Sequence, residues 1–115
     1  MRISEIQKVG RIAIQNDAFR RGLGSGTHLI TSGVNDLGFA FVLSAVNSVR
    51  EFNDFSKNND PYCEHDFGDV TVNEHKLFWK IDYFQKGTKF AEGSEDPSDE
   101  NTTERLLTIM LADEY

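Results

Sequence analysis

Near the start of the chain the apolar residues Ile6, Val9, Ala13 and Ile14 recur at helical spacing. Ser4 followed three residues later by Gln7 has the spacing of a capping box. Together these predict an amphipathic helix over residues 4–19, reaching as far as Arg21. Gly22-Leu23-Gly24-Ser25-Gly26 ends it, because glycines cost backbone entropy in a helix and suit turns. The short β-branched run 27–34 then reads as a strand. Asn35 or Asp36 is placed to cap a second helix, with Phe39, Val42, Ala45, Val46, Val49 and Phe52 on one face.

From residue 53 to 68 the periodicity gives way to a polar loop. Beyond it the period changes to two. Residues 69–72 and 76–84 are extended runs separated by Asn73-Glu74-His75, the layout of a β-hairpin. Leu77, Trp79, Ile81 and Tyr83 share the face expected to meet the core, and Phe78, Lys80, Asp82 and Phe84 share the other. Residues 85–100 form a second long polar connection. The last element carries Leu106, Leu107, Ile109, Met110 and Leu111, apolar nearly all round, and Asn101 with Glu104 again has capping-box spacing. It is expected to be a buried helix, packed on the sheet or on a second copy of the chain.

The plan is therefore α+β in the order α-β-α-β-β-α, with an antiparallel hairpin and short sheet against helices. A chain of 115 residues has the size of one domain, so residues 1–115 are read as a single unit. The opening MRISEIQKVGR lacks the apolar segment of a secretion signal, and no apolar run is long enough to span a bilayer. A cytoplasmic protein is expected, in agreement with its single cysteine, Cys63. One Cys and three scattered His give no zinc-ligand pairs, so neither metal nor cofactor is expected.

Charge narrows the partners. The net charge is −7, but residues 1–21 hold five bases (Arg2, Lys8, Arg11, Arg20, Arg21) against two acids, which leaves −10 on the remainder. Such a body repels phosphate backbones and anionic lipid, which argues against direct binding to nucleic acid or membrane. Glu92, Glu95, Asp96, Asp99, Glu100 and Glu104 place six carboxylates in 13 residues with no base among them. That spacing could imitate a nucleic-acid backbone, or it could be a solvated loop leading into a helix N-terminus that favours acids.

The densest polar run is Asn59-Asp60-Pro61-Tyr62-Cys63-Glu64-His65-Asp66. A histidine flanked by carboxylates suits a general base or a divalent-metal site, but a loop held by hydrogen bonds to its own backbone is the better reading. Lys80 and Asp82, two apart on one strand face, could join His65 and Asp66 if the loop folds over the sheet. Asp69, Glu74 and Lys76 have a nuclease-like composition, but Glu74 falls at the turn, where a metal ligand is not held rigidly. Cys63 lies among carboxylates, which oppose a reactive thiolate. The GLGSG stretch has glycine spacing that a phosphate site could use. It follows a helix and precedes a strand, the reverse of the order that aims a helix N-terminus at phosphate, so a connector is the better reading.

The strings NDAFRR (16–21), NDPYCEHDFG (59–68), FWKIDYF (78–84) and LLTIMLADEY (106–115) together resemble a bacterial family catalogued as a domain of unknown function. The resemblance spans about residues 14–115. It implies small stand-alone proteins, often carried on plasmids and prophages, and no particular activity. Its motif positions fall on Asn16, Asp17, Arg20, Asn59, Asp60, Pro61, Glu64, His65, Asp66, Phe67, Gly68, Trp79, Lys80, Asp82 and Tyr83, with Cys63 where glycine is usual.

Two functions are expected from these features. The first is a non-enzymatic binding protein from a mobile genetic element, such as an anti-CRISPR or anti-restriction inhibitor. It would meet a basic, nucleic-acid-handling protein through Asp60, Glu64, Asp66, Glu92, Glu95, Asp96, Asp99 and Glu100. The alternative is a small enzyme or ligand-binding domain centred on His65, Asp66, Lys80 and Asp82. The apolar C-terminal helix adds the expectation of a homodimer.

Overall fold

The computed structural model describes residues 2–115. Its helices are α1 (Ile3–Arg20), a single turn α2 (Ser32–Asn35) and α3 (Phe39–Glu51). Its strands are β1 (Gly26–Ile30), β2 (Phe67–Val72), β3 (His75–Gln85) and β4 (Thr103–Leu111), and a 3-10 turn, Ala112–Glu114, follows. The strands form one mixed sheet in the order β1-β4-β3-β2, with β1 parallel to β4 and the other neighbours antiparallel. The architecture is α+β.

The element order differs from expectation at its end, where the apolar segment expected as a helix is β4. Its two neighbours explain the pattern. Residue 109 pairs with Ile30 on one side and with Trp79 on the other, so β4 is an interior strand with both of its edges hydrogen-bonded. Leu107 and Ile109 face the helices, Thr108 and Met110 face the opposite way, and all four are buried. A strand covered on both faces reads as a continuous apolar run, which periodicity alone does not separate from a buried helix. Asn101 and Glu104 form no helix cap; the Asn101 N–H donates to Asp99 Oδ1 in a turn. The terminal helix on which the expectation of a homodimer rested is therefore a strand inside the sheet.

The other boundaries shift for local reasons. β1 ends at Ile30 because Thr31 turns the chain and accepts the Val34 N–H at 3.5 Å as the cap of α2. Asn35 and Asp36 therefore close α2 instead of capping α3, which starts after Gly38. The stripe that α3 buries is Phe41, Ala45, Val49 and Phe52, with Val42 and Val46 half-buried beside it, and Phe39 stands out in solvent. The Ser4–Gln7 box does not form either, since α1 begins one residue earlier, after Arg2, with no side-chain cap. The buried line of α1 is Ile12, Asn16, Phe19 and Arg20, whereas Ile6 and Ile14 are exposed. This helix turns two polar side chains toward the core.

The hairpin matches its pattern closely. Leu77, Trp79 and Ile81 are buried against α3, with Tyr83 half-buried in line with them. Gly68 pairs with Trp79, and a Cβ there would lie 2.6 Å from Trp79 Nε1 and 2.8 Å from Phe52 Cζ, so only glycine lets the indole lie on the strand. The turn is two residues, Asn73 and Glu74, with φ of 47° and 71°. Two left-handed residues in succession make the turn whose twist matches the strands it joins. Glutamate is strained there, so Glu74→Gly should stabilise the protein by about 1 kcal/mol, read from the urea unfolding midpoint.

Candidate functional site

The polar residues of α1, the loop 53–66 and the ends of β3 and β4 meet on the helix-covered side of the sheet. Arg20 is at their centre, 1% exposed. Its Nη1 donates to the carbonyls of Val49 (2.8 Å), Arg50 (3.1 Å) and Phe52 (2.8 Å) at the C-terminal end of α3, the first of which also accepts the Phe52 N–H at 3.3 Å. Its Nη2 donates to Asp17 Oδ1 at 2.9 Å, and the guanidinium lies over the rings of Trp79 and Phe55 at 5.1 and 5.5 Å. One side chain thus joins α1, α3 and the aromatic core.

Asp17 extends the network into the loop, where His65 Nδ1 lies 2.9 Å from its Oδ1. The imidazole stacks flat on Phe55, centroids 3.9 Å apart. Asp60, buried, accepts the N–H groups of Glu64 (3.0 Å) and His65 (3.1 Å) on Oδ1, and its Oδ2 lies 3.8 Å from His65 Nε2. Asn59 accepts the Ser56 N–H and donates to the Asp54 carbonyl. The Asn and Asp side chains of this run therefore fold the loop onto itself. Cys63, at φ 58°, is in the left-handed region that favours glycine, and its thiol is exposed. An open depression of about 300 Å³ lies beside the imidazole, lined by Phe55, Ser56, Lys57, Asp60, Cys63 and His65.

A second cluster is organised by buried Asn16. Its Nδ2 donates to the Glu64 carbonyl (2.9 Å) and to Tyr83 Oη (2.7 Å), and its Oδ1 accepts Arg105 Nε at 2.7 Å. The Tyr83 hydroxyl lies 3.3 Å from Glu64 Oε1 and 3.5 Å from Asp66 Oδ2. Burial pushes the pKa values of both carboxyls up, and a neighbouring carboxylate adds to the rise in each case, Asp66 for Glu64 and Asp60 for Asp66. The Tyr83 phenol is raised by burial and by Asp66 beside it.

His65 and Asp66 belong to this inner side. Lys80 and Asp82 do not join them, because they alternate with Trp79 and Ile81 and so stand on the other sheet face, paired with each other at 3.3 Å. The four side chains of the enzyme alternative are thus split by the sheet. Lys76 lies 3.9 Å from Asp69 at the surface. Among the described residues no group of three or more His, Cys, Asp or Glu is arranged to hold a metal ion, and no helix is long and apolar enough to cross a membrane.

The acidic connection is ordered. Asp96 lies 3.9 Å from Lys8 of α1, and its pKa is lowered by the Ser98 hydroxyl it accepts. Gln15 donates to the Ser98 carbonyl at 2.9 Å, and Arg105 to that of Pro97 at 2.8 Å. Glu92, Glu95 and Glu100 are exposed, Asp99 and Glu104 half-buried, and Asp60 is enclosed. Asp60 supports the loop and has almost no surface to offer a partner. The residue that spacing missed altogether is Arg105, whose one signal is a lone base beside an apolar run.

Replacing Arg20 by Met strands the α3 carbonyls and Asp17, so Arg20→Met should lose roughly 3–5 kcal/mol of stability in urea unfolding, and Arg20→Lys should recover part of it. Glu64 and Asp66 have folded pKa values above their unfolded ones, so the native state holds protons more tightly than the unfolded chain. Ionising these half-buried groups costs stability in full above the folded values, and the cost vanishes below the unfolded value, about 4. Glu64→Gln should therefore gain stability at neutral pH and show no gain below about pH 4, in paired unfolding curves.

No curated protein and no solved structure matches the chain. A family model described as a protein of unknown function, DUF3768, matches residues 30–114, so that α2 through the final turn lie within the match, and α1 and all of β1 but Ile30 precede it. The chain belongs to the DUF3768 family.

Proposed function

We propose that this chain is a non-enzymatic binding protein that docks its acidic exterior onto the basic surface of a protein that handles nucleic acid. The observation that carries the reading is the direction in which its charges face. Arg20 and Arg105 are buried, while Glu92, Glu95 and Glu100 are exposed and Asp60 is the one buried acid among the described residues. The exterior keeps the acidic excess of the composition, and such a field steers association with a cationic partner. The polar cluster at α1 and the loop supports the same reading, since its hydrogen bonds are spent on joining elements of the fold. An inhibitor of host defence carried by a mobile element, of the anti-CRISPR or anti-restriction kind, is one instance of this class.

A second reading is favoured by His65, whose ring is fixed at Nδ1 by Asp17 beside an open depression. It makes the chain a ligand-binding or catalytic domain with His65 as the base. Lys80 and Asp82 take no part in it.

The binding reading is tested by recovering a partner from cell lysate and titrating the purified pair with salt. Affinity should fall steeply as ionic strength rises from about 0.05 to about 0.5 M, where the Debye length shrinks well below 10 Å. A variant with Glu92, Glu95 and Glu100 all changed to Gln should bind more weakly and with a shallower salt dependence. Affinity indifferent to salt, or turnover of a metabolite by the purified chain, would remove the proposal.

A further inference from the structure

Two arginines are buried in this protein and one of them lacks a counter-ion. Arg20 has Asp17 at 2.9 Å. Arg105, 4% exposed, pairs with no carboxylate among the described residues. Its Nε and Nη2 donate to Asn16 Oδ1, Gln15 Oε1 and the Pro97 carbonyl, all neutral acceptors. Nη1 donates to no protein atom among the described residues. A guanidinium keeps its proton when buried, and a buried charge without an opposite charge is costly. Burial pulls the Arg105 pKa down, while Tyr83, Glu100 and Glu64 act against the fall without forming an ion pair.

Arg105 also lines a cavity of about 60 Å³ between the end of α1, the glycine-rich connection and the start of β4. One water needs roughly 10–15 Å³ by this measure, so there is room for several waters or for one group of their combined size. Gly24 and Ser25 form another wall, and neither their N–H groups nor the Ser25 hydroxyl donate to a protein atom among the described residues. Residues with donors that meet no protein acceptor therefore form two sides of the cavity, and one of them is a cation without an ion pair.

We propose that this cavity binds a small oxyanion, a phosphate group in chemical class, with Arg105 as its charged donor and Gly24 and Ser25 as neutral ones. Donors on separate walls suit the several oxygens of a phosphoryl group better than the two of a carboxylate. The glycine-rich segment follows a helix, so no helix N-terminus helps, and the buried guanidinium supplies the charge that a dipole supplies elsewhere. Glu100 is the one carboxylate on the wall and opposes the anion.

The test is a titration of isotope-labelled protein with inorganic phosphate at constant ionic strength, followed by the amide resonances of Gly24 and Ser25 and by Arg105 Nε. Saturable shifts at all three, with a rise in Tm, are expected. Glu100 and Ser25 are both exposed, so their variants keep the fold. Glu100→Gln should bind phosphate several-fold tighter and Ser25→Ala several-fold weaker. Arg105→Lys should lose most of the affinity, and the two exposed variants decide the matter if it does not fold. Absence of saturable shifts up to tens of millimolar phosphate would overturn the proposal. So would equal shifts with chloride or acetate, or unchanged affinity in Glu100→Gln.

Discussion

The fold depends on a cation placed where an apolar side chain would ordinarily go. Arg20 occupies the position at which α1, the end of α3 and the Trp79 indole converge, and it donates to three carbonyls at the end of α3. Removing the guanidinium would leave buried acceptors short of a donor, which is costly away from water. With Asp17 as its counter-ion and His65 on the far side of Asp17, the interaction also fixes where the loop 53–66 lies. The helix is held by hydrogen bonds and charge as much as by its apolar face.

This explains which parts of the molecule were legible in the chain and which were not. The hairpin was readable because alternation maps directly onto a sheet with one face buried, and Leu77, Trp79 and Ile81 fall where that pattern puts them. α1 was readable as a helix, but its inward side was misjudged, because Ile6 and Ile14 outweigh Asn16 and Arg20 on any hydrophobic count. β4 was misjudged for the opposite reason. Its neighbours remove the alternation that identifies a strand, and those neighbours are set by topology, which lies outside any local window.

The candidate site was legible as a list of residues but not as a geometry. The run from Asn59 to Asp66 signals a polar loop, and Asp60 and Asn59 do serve its backbone. Nothing in its spacing indicates that Asp17, forty-eight residues earlier, reaches His65, or that Lys80 and Asp82 stand behind the sheet. Arg105 was invisible because a lone arginine beside an apolar run is ordinarily taken as surface, in a helix or in a strand. Its burial follows from its register opposite Tyr83 and Gly26, where α1 covers the sheet.

The position of β4 also has a kinetic consequence. It joins β1, whose Gly26 is paired to residue 105, with β3, so the two parts of the sheet have no contact through hydrogen-bonded strands until residues 103–111 are in place. Pairings this distant along the chain must close a long loop before they return any energy, which makes assembly slow. During synthesis, β1 and the hairpin must leave the ribosome as separate pieces with raw edges. The polypeptide is therefore exposed to edge-to-edge aggregation until β4 emerges and joins the two.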